Sequence, residues 1–63
     1  MKVKEVIKIL ESDGWFQVAQ KGSHRQYKHS VKKGRVTVPD HGLNKDLAKG
    51  TENSILKQAQ LNK

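Results

Sequence analysis

The side chains of this 63-residue chain best suited to moving a proton are three histidines, His24, His29 and His41, and no cysteine offers a thiol. The missing cysteines remove disulfides, thiolate zinc sites, iron–sulfur ligation and thiol nucleophiles together. His29, His41 and Asp40 do not stand at the spacing one helical face gives a zinc site, so neither a metal nor a cofactor is expected. Ser23 precedes His24 directly, and strand neighbours point to opposite faces, which does not assemble a Ser-His-acid triad. A different task fits His24: taking the proton from a ribose 2′-hydroxyl so that this oxygen attacks the adjacent phosphate, with RNA supplying its own nucleophile. Neighbouring Lys21, Arg25 and Lys28 would neutralise charge building on the phosphoryl oxygens, and Gly22 would let an RNA backbone approach closely. The plainer alternative for a lone strand histidine is an inert surface residue, and composition by itself favours that alternative.

The distribution of charge narrows the choice of partner. Lys and Arg number 13 against 6 Asp and Glu, a net charge of +7. The acids are Glu5, Glu11, Asp13, Asp40, Asp46 and Glu52, which leaves residues 14–39 without one. That stretch holds Lys21, Arg25, Lys28, Lys32, Lys33 and Arg35, interleaved with His24, Tyr27 and His29, as a surface meeting a phosphate backbone would be. Anionic lipid or an acidic protein would be drawn by the same sign. A chain this short buries only about 60% of the surface its unfolded form exposes, which excludes a two-domain enzyme and a large internal cofactor pocket. Residues 1–63 therefore read as a single domain. No apolar run exceeds two residues, whereas a signal-peptide core needs roughly 7 and a spanning helix about 20. The expectation is a cytoplasmic protein with no membrane partner.

The elements that must position these groups follow from periodicity. Val3, Val6, Ile7 and Leu10 fall within an arc of about 100° on a helical wheel, a surface helix with one buried stripe. Gly14 supplies the left-handed residue that ends it. Trp15–Gln20, His24–Ser30 and Arg35–Pro39 read as strands of two hairpins, divided by Lys21-Gly22-Ser23 and by Val31-Lys32-Lys33-Gly34. Alternation sets Arg25, Tyr27 and His29 on one face and His24, Gln26 and Lys28 on the other. Tyr27, with Phe16 or Val18 and the valines Val36 and Val38, is expected to cover the helical layer, leaving His24 on the wetter face. Beyond the loop at Asp40-His41-Gly42, Asn44–Lys49 reads as a turn of helix, Gly50 as an interruption and Thr51 as the N-cap of a last helix whose Ile55, Leu56 and Ala59 pack inward. The fold class is α+β in the order α-β-β-β-α, a three-stranded antiparallel sheet with two helices packed on one face.

Three ordered motifs carry a resemblance: Gly22-Ser23-His24-Arg25-Gln26-Tyr27, Val36-Thr37-Val38-Pro39-Asp40-His41, and Gly50-Thr51 followed by Ile55-Leu56-Lys57-Gln58-Ala59. From the first helix through Gly14-Trp15 to Leu61, the chain resembles HicA, the small toxin of HicA-HicB toxin-antitoxin pairs. The resemblance implies a fold like the double-stranded RNA-binding domain, an endoribonuclease that degrades messenger RNA and arrests translation, and a HicB-type antitoxin covering the active surface; the expectation that cleavage is metal-independent rests on His24 within the acid-free cationic hairpin. It places the catalytic role on His24, with His41 supporting at most, and assigns no counterpart to His29. The RNA-binding set expected around His24 is Lys21, Gly22, Ser23, Arg25, Gln26 and Lys28. Two positions depart from the family pattern, in which an aliphatic residue stands where this chain has Glu52 and a glycine where it has Gln60. A non-catalytic RNA-binding module of the same fold is the rival reading.

Overall fold

The stripe of Val3, Val6, Ile7 and Leu10 is the buried side of helix α1 (Val3–Ser12) in the computed structural model, which describes residues 1–61. The last two positions of the expected 1–63 unit lie outside the described residues. Helix α1 has no Ser, Thr, Asp or Asn at its N-cap, which is Lys2. Its first amide groups find partners elsewhere: Val3 N donates to Lys45 O at 2.9 Å and Lys4 N to Leu43 O at 3.0 Å, while Glu5 accepts from Lys2 N at 2.7 Å. Residues 44–48 form no turn of helix, contrary to expectation, and Lys49 already belongs to the helix that follows. The segment is a strap whose carbonyls face α1, held by the Lys2–Asp46 bridge and by Leu47 N donating to Met1 O at 2.9 Å.

Beyond α1, strands β1 (Trp15–Lys21), β2 (His24–His29) and β3 (Val36–Pro39) form an antiparallel sheet in the order β1-β2-β3. The core unites the α1 stripe with Trp15, Tyr27, Val36 and Val38 from the sheet and Ile55 and Ala59 from helix α2 (Lys49–Gln58), so both helices cover one face. Phe16 and Val18 do not join it: they are 50% and 44% exposed, and Trp15 fills the place expected for them. The cause is a β-bulge. Gln17 pairs with Tyr27 and Ala19 with Gln26, so Val18 is an extra residue and the alternation inverts across it.

Helix α2 also begins earlier than expected. Its N-cap is Ala48, and Glu52 N donates to Ala48 O at 2.9 Å, which draws Gly50 and Thr51 into the first turn. Thr51 is therefore not the cap, and Gly50 is tolerated where backbone amides need no intrahelical partner. The departure at Glu52 has a counterpart: its carboxylate pairs with the N-terminal ammonium of Met1 at 2.9 Å. The departure at Gln60 falls on the residue that closes α2. Leu61 N donates to Leu56 O at 2.8 Å and Gln60 N to Lys57 O at 3.0 Å, with Gln60 at φ +59°, the left-handed position where glycine is favoured.

The two left-handed helix ends predict substitutions of opposite sign. At Gly14, φ is +99° and an added Cβ would lie 2.8 Å from His29 Nε2. Gly14→Ala should lower stability by on the order of 2 kcal/mol, and Gln60→Gly should raise it by roughly 0.5–1 kcal/mol. Urea unfolding midpoints measure both, and an unmoved midpoint for Gly14→Ala contradicts this account of the α1 terminus.

Candidate functional site

The first hairpin closes in the fewest residues a tight turn allows. Lys21 pairs with His24 across Gly22 and Ser23, and Gly22 at φ +57° occupies the first central position, the type II′ pattern that matches strand twist. Nothing lies within 4 Å of where a Cβ on Gly22 would sit, so backbone conformation rather than packing requires the glycine. The space above the turn is open to a ligand. His24 is the first residue of β2, is exposed, and shares the helix-free face with its partners Lys21 and Pro39.

Gln26 and Lys28 follow His24 on that face at alternate positions. Lys28 is exposed, whereas Gln26 is half-buried and accepts a hydrogen bond from Arg35 Nη1 at 2.6 Å. Arg35 thus joins the face although it lies outside the expected RNA-binding set. The signal for it was present: Arg35 precedes the inward Val36, so alternation turns it outward.

Arg25 is placed differently from its neighbours. Its side chain lies on the helix side of the sheet, where Nε donates to Asp40 Oδ2 at 2.7 Å and Nη1 donates to Gln17 at 3.0 Å. The same carboxylate accepts from Gly42 N at 2.9 Å, and Asp40 N donates to Ser23 O at 2.5 Å. Asp40 therefore clamps three things together: the hairpin turn beside His24, the Arg25 guanidinium and the loop bearing exposed His41. Hydrogen bonding from Gly42, reinforced by Arg25 and by His41, holds its carboxyl below the ordinary value. Ser23 is half-buried, and its backbone carbonyl accepts the bond from Asp40 N.

His29 sits at the other end of β2 and is fully engaged. Its Nδ1 accepts from the amides of Val31 at 3.0 Å and Lys32 at 3.1 Å, which leaves Nε2 to donate to Asp13 O at 2.6 Å. The ring also meets Trp15 edge to face at 5.2 Å between centroids. Lys32 is tied to the Asp13 carboxylate at 2.5 Å and to Ala59 O at 3.2 Å. Lys32 holds the Asp13 carboxyl below its usual range, while Trp15 Nε1 lies close to it without reaching hydrogen-bond geometry. His29 is thus a structural residue. Among the described residues no three His, Asp or Glu side chains converge as a metal would require.

A family model for the HicA toxin of bacterial toxin-antitoxin systems matches residues 3–61. Among solved structures, a chain of the toxin-antitoxin complex from Streptococcus pneumoniae aligns with a TM-score of 0.75 at 35% sequence identity, covering 97% of this chain and 98% of that one. No curated protein matches the sequence.

The two depressed carboxylates set a pH dependence. Each contributes stability that is complete above the ordinary value of 3.8 and is lost as pH falls through its lower folded-state value. Thermal unfolding followed from about pH 5 to about pH 2 should show a fall that is shallower in Asp40→Asn than in the parent chain. Parallel curves would show that Asp40 carries no such clamp.

Proposed function

This chain belongs to the HicA toxin family of bacterial toxin-antitoxin systems, and from that premise we propose that it is a metal-independent endoribonuclease in which His24 is the catalytic residue. The observation that supports this most directly is the placement of His24 exposed at the tip of a cationic hairpin, paired with Lys21, on a strand face without a carboxylate. His24 takes the proton from a ribose 2′-hydroxyl, and the freed oxygen attacks the adjacent phosphorus. The bond to the 5′-oxygen breaks and that oxygen takes a proton from water, a lysine or the protonated His24. The products are a 2′,3′-cyclic phosphate and a 5′-hydroxyl. Lys21 and Lys28 offset charge on the phosphoryl oxygens and backbone, and the open space at Gly22 admits the strand being cut.

Arg25 has a positioning part in this scheme, because its guanidinium is engaged by Asp40 behind the sheet. His41 stands on the loop that Asp40 pins to the hairpin turn and supports the site from there. The substrate is messenger RNA, the consequence is translational arrest in the cytoplasm, and a HicB-type antitoxin silences the protein by covering the His24 face. Two facts support the partner: the family is one of toxin-antitoxin systems, and the similar structure comes from such a complex. No helix among the described residues is long and apolar enough to cross a membrane.

Purified protein incubated with RNA in EDTA should cut it and leave cyclic phosphate ends. His24→Ala should slow cleavage by at least about 100-fold with the circular dichroism spectrum unchanged, because the side chain is exposed. Undiminished cutting by the variant, or its loss on chelation, rules out the mechanism. Salt-sensitive binding that leaves RNA intact would identify a non-catalytic RNA-binding module instead.

A further inference from the structure

We propose that the helix-free face of the sheet holds a base-stacking subsite at Phe16, which takes an unpaired nucleotide of the RNA strand cut at His24. The inference rests on the ribonuclease reading and deepens it by naming the form of substrate: single-stranded RNA, whose base faces are open, rather than a duplex, whose faces are not.

The chain has one Trp, one Tyr and one Phe. Trp15 and Tyr27 are in the core at 2% and 1% exposure, whereas Phe16 is 50% exposed on the opposite face. A domain this small has few large apolar side chains to spare, and the bulge at Val18 is what keeps Phe16 outside while Trp15 enters. On β1 the other exposed large apolar side chain is Val18, at 44%, and it is too small to stack on a base. Phe16 stands opposite Lys28, with Gln26 and the Arg35 guanidinium beyond it along the face. Exposed aromatics set among cations and amides are how proteins hold unpaired bases: the ring stacks on the base while cations meet the phosphates and amides reach base edges.

Spacing connects this platform to the scissile site. Lys28 lies four residues along β2 from His24 on the same face, about 13 Å at the rise of an antiparallel strand. One extended strand can therefore lie with its sugar at His24 and a flanking base on Phe16, passing Gln26 and Arg35 between them. The face carries cations and no carboxylate, which favours RNA as its occupant.

The test uses a His24→Ala background, which slows cleavage, and a fluorescent single-stranded oligoribonucleotide read by anisotropy. Phe16→Ala and Phe16→Leu should each weaken binding about fivefold to 100-fold, and Phe16→Trp should restore it. Binding of polyphosphate, an anion without bases, should be the same in all four proteins. Oligonucleotide binding that does not respond to Phe16 overturns the subsite while leaving the ribonuclease reading intact, and no binding of RNA at all overturns both. An equal loss for polyphosphate, or a loss confined to binding of the antitoxin, also overturns it, the latter identifying a protein-facing residue.

Discussion

Between Gln17 and Ala19 the first strand carries one residue more than its partner, so its two ends follow opposite alternations. Strict alternation from the inward Trp15 would have sent Lys21 towards the helices as well. That end of the strand is open on both faces, as the exposed Gln20 on the helix side shows, so the inversion decides which face the ammonium serves rather than whether it keeps its water. The extra residue instead lets Trp15 fill the core at one end and turns Lys21 outward beside His24 at the other.

Among the cations of residues 14–39, all but Lys33 divide between the two sides of the sheet. Those behind or at the edge of the sheet are matched: Arg25 with Asp40 and Gln17, Lys32 with Asp13 and the last turn of α2. Lys21, Lys28 and Arg35 lie on the helix-free side, where the strands supply no acid. The polar clamps therefore serve two purposes. Each fastens a loop that a thin core cannot hold by apolar contact, and each withdraws a positive charge from the competition for an anion, leaving the field concentrated at the hairpin face.

Much of this was legible in the chain because it is local. The α1 stripe, the glycine that ends it, the Gly22-Ser23 turn and the outward His24 all depend on periodicity or on one residue's conformational freedom. What escaped depends on partners distant in sequence. The bulge is a matter of register between β1 and β2, and nothing in Trp15-Phe16-Gln17-Val18 marks which residue is extra. Thr51 has the chemistry of a cap, yet α2 starts at Lys49 because the backbone arrives in helical register at Ala48. Lys45 and Leu43 give their carbonyls to α1, a demand invisible from within the 44–49 segment. Arg25 stands next to His24 in sequence but on the opposite side of the sheet, and Asp40, which captures it, lies 15 residues on.

A reactive group on an open strand face also constrains how the proposed activity can be controlled. His24 is exposed at the start of β2, and a surface depression lined by Met1, Glu5, Lys8, Ile9 and Ser12 runs along α1, behind the sheet. The turn beside His24 has two residues, and the loop at His41 is pinned through Asp40, so neither can fold over the site. In the proposed function an antitoxin laid across the face would do the silencing. To displace RNA it has to meet Lys21, Lys28 and Arg35 with carboxylates of its own, because each cation left unpaired under a dry interface would weaken the complex. On that reading the charges that gather RNA would also favour an acidic inhibitor. A weaker cationic face would lower affinity for both together, which couples the strength of the toxin to the strength of its restraint.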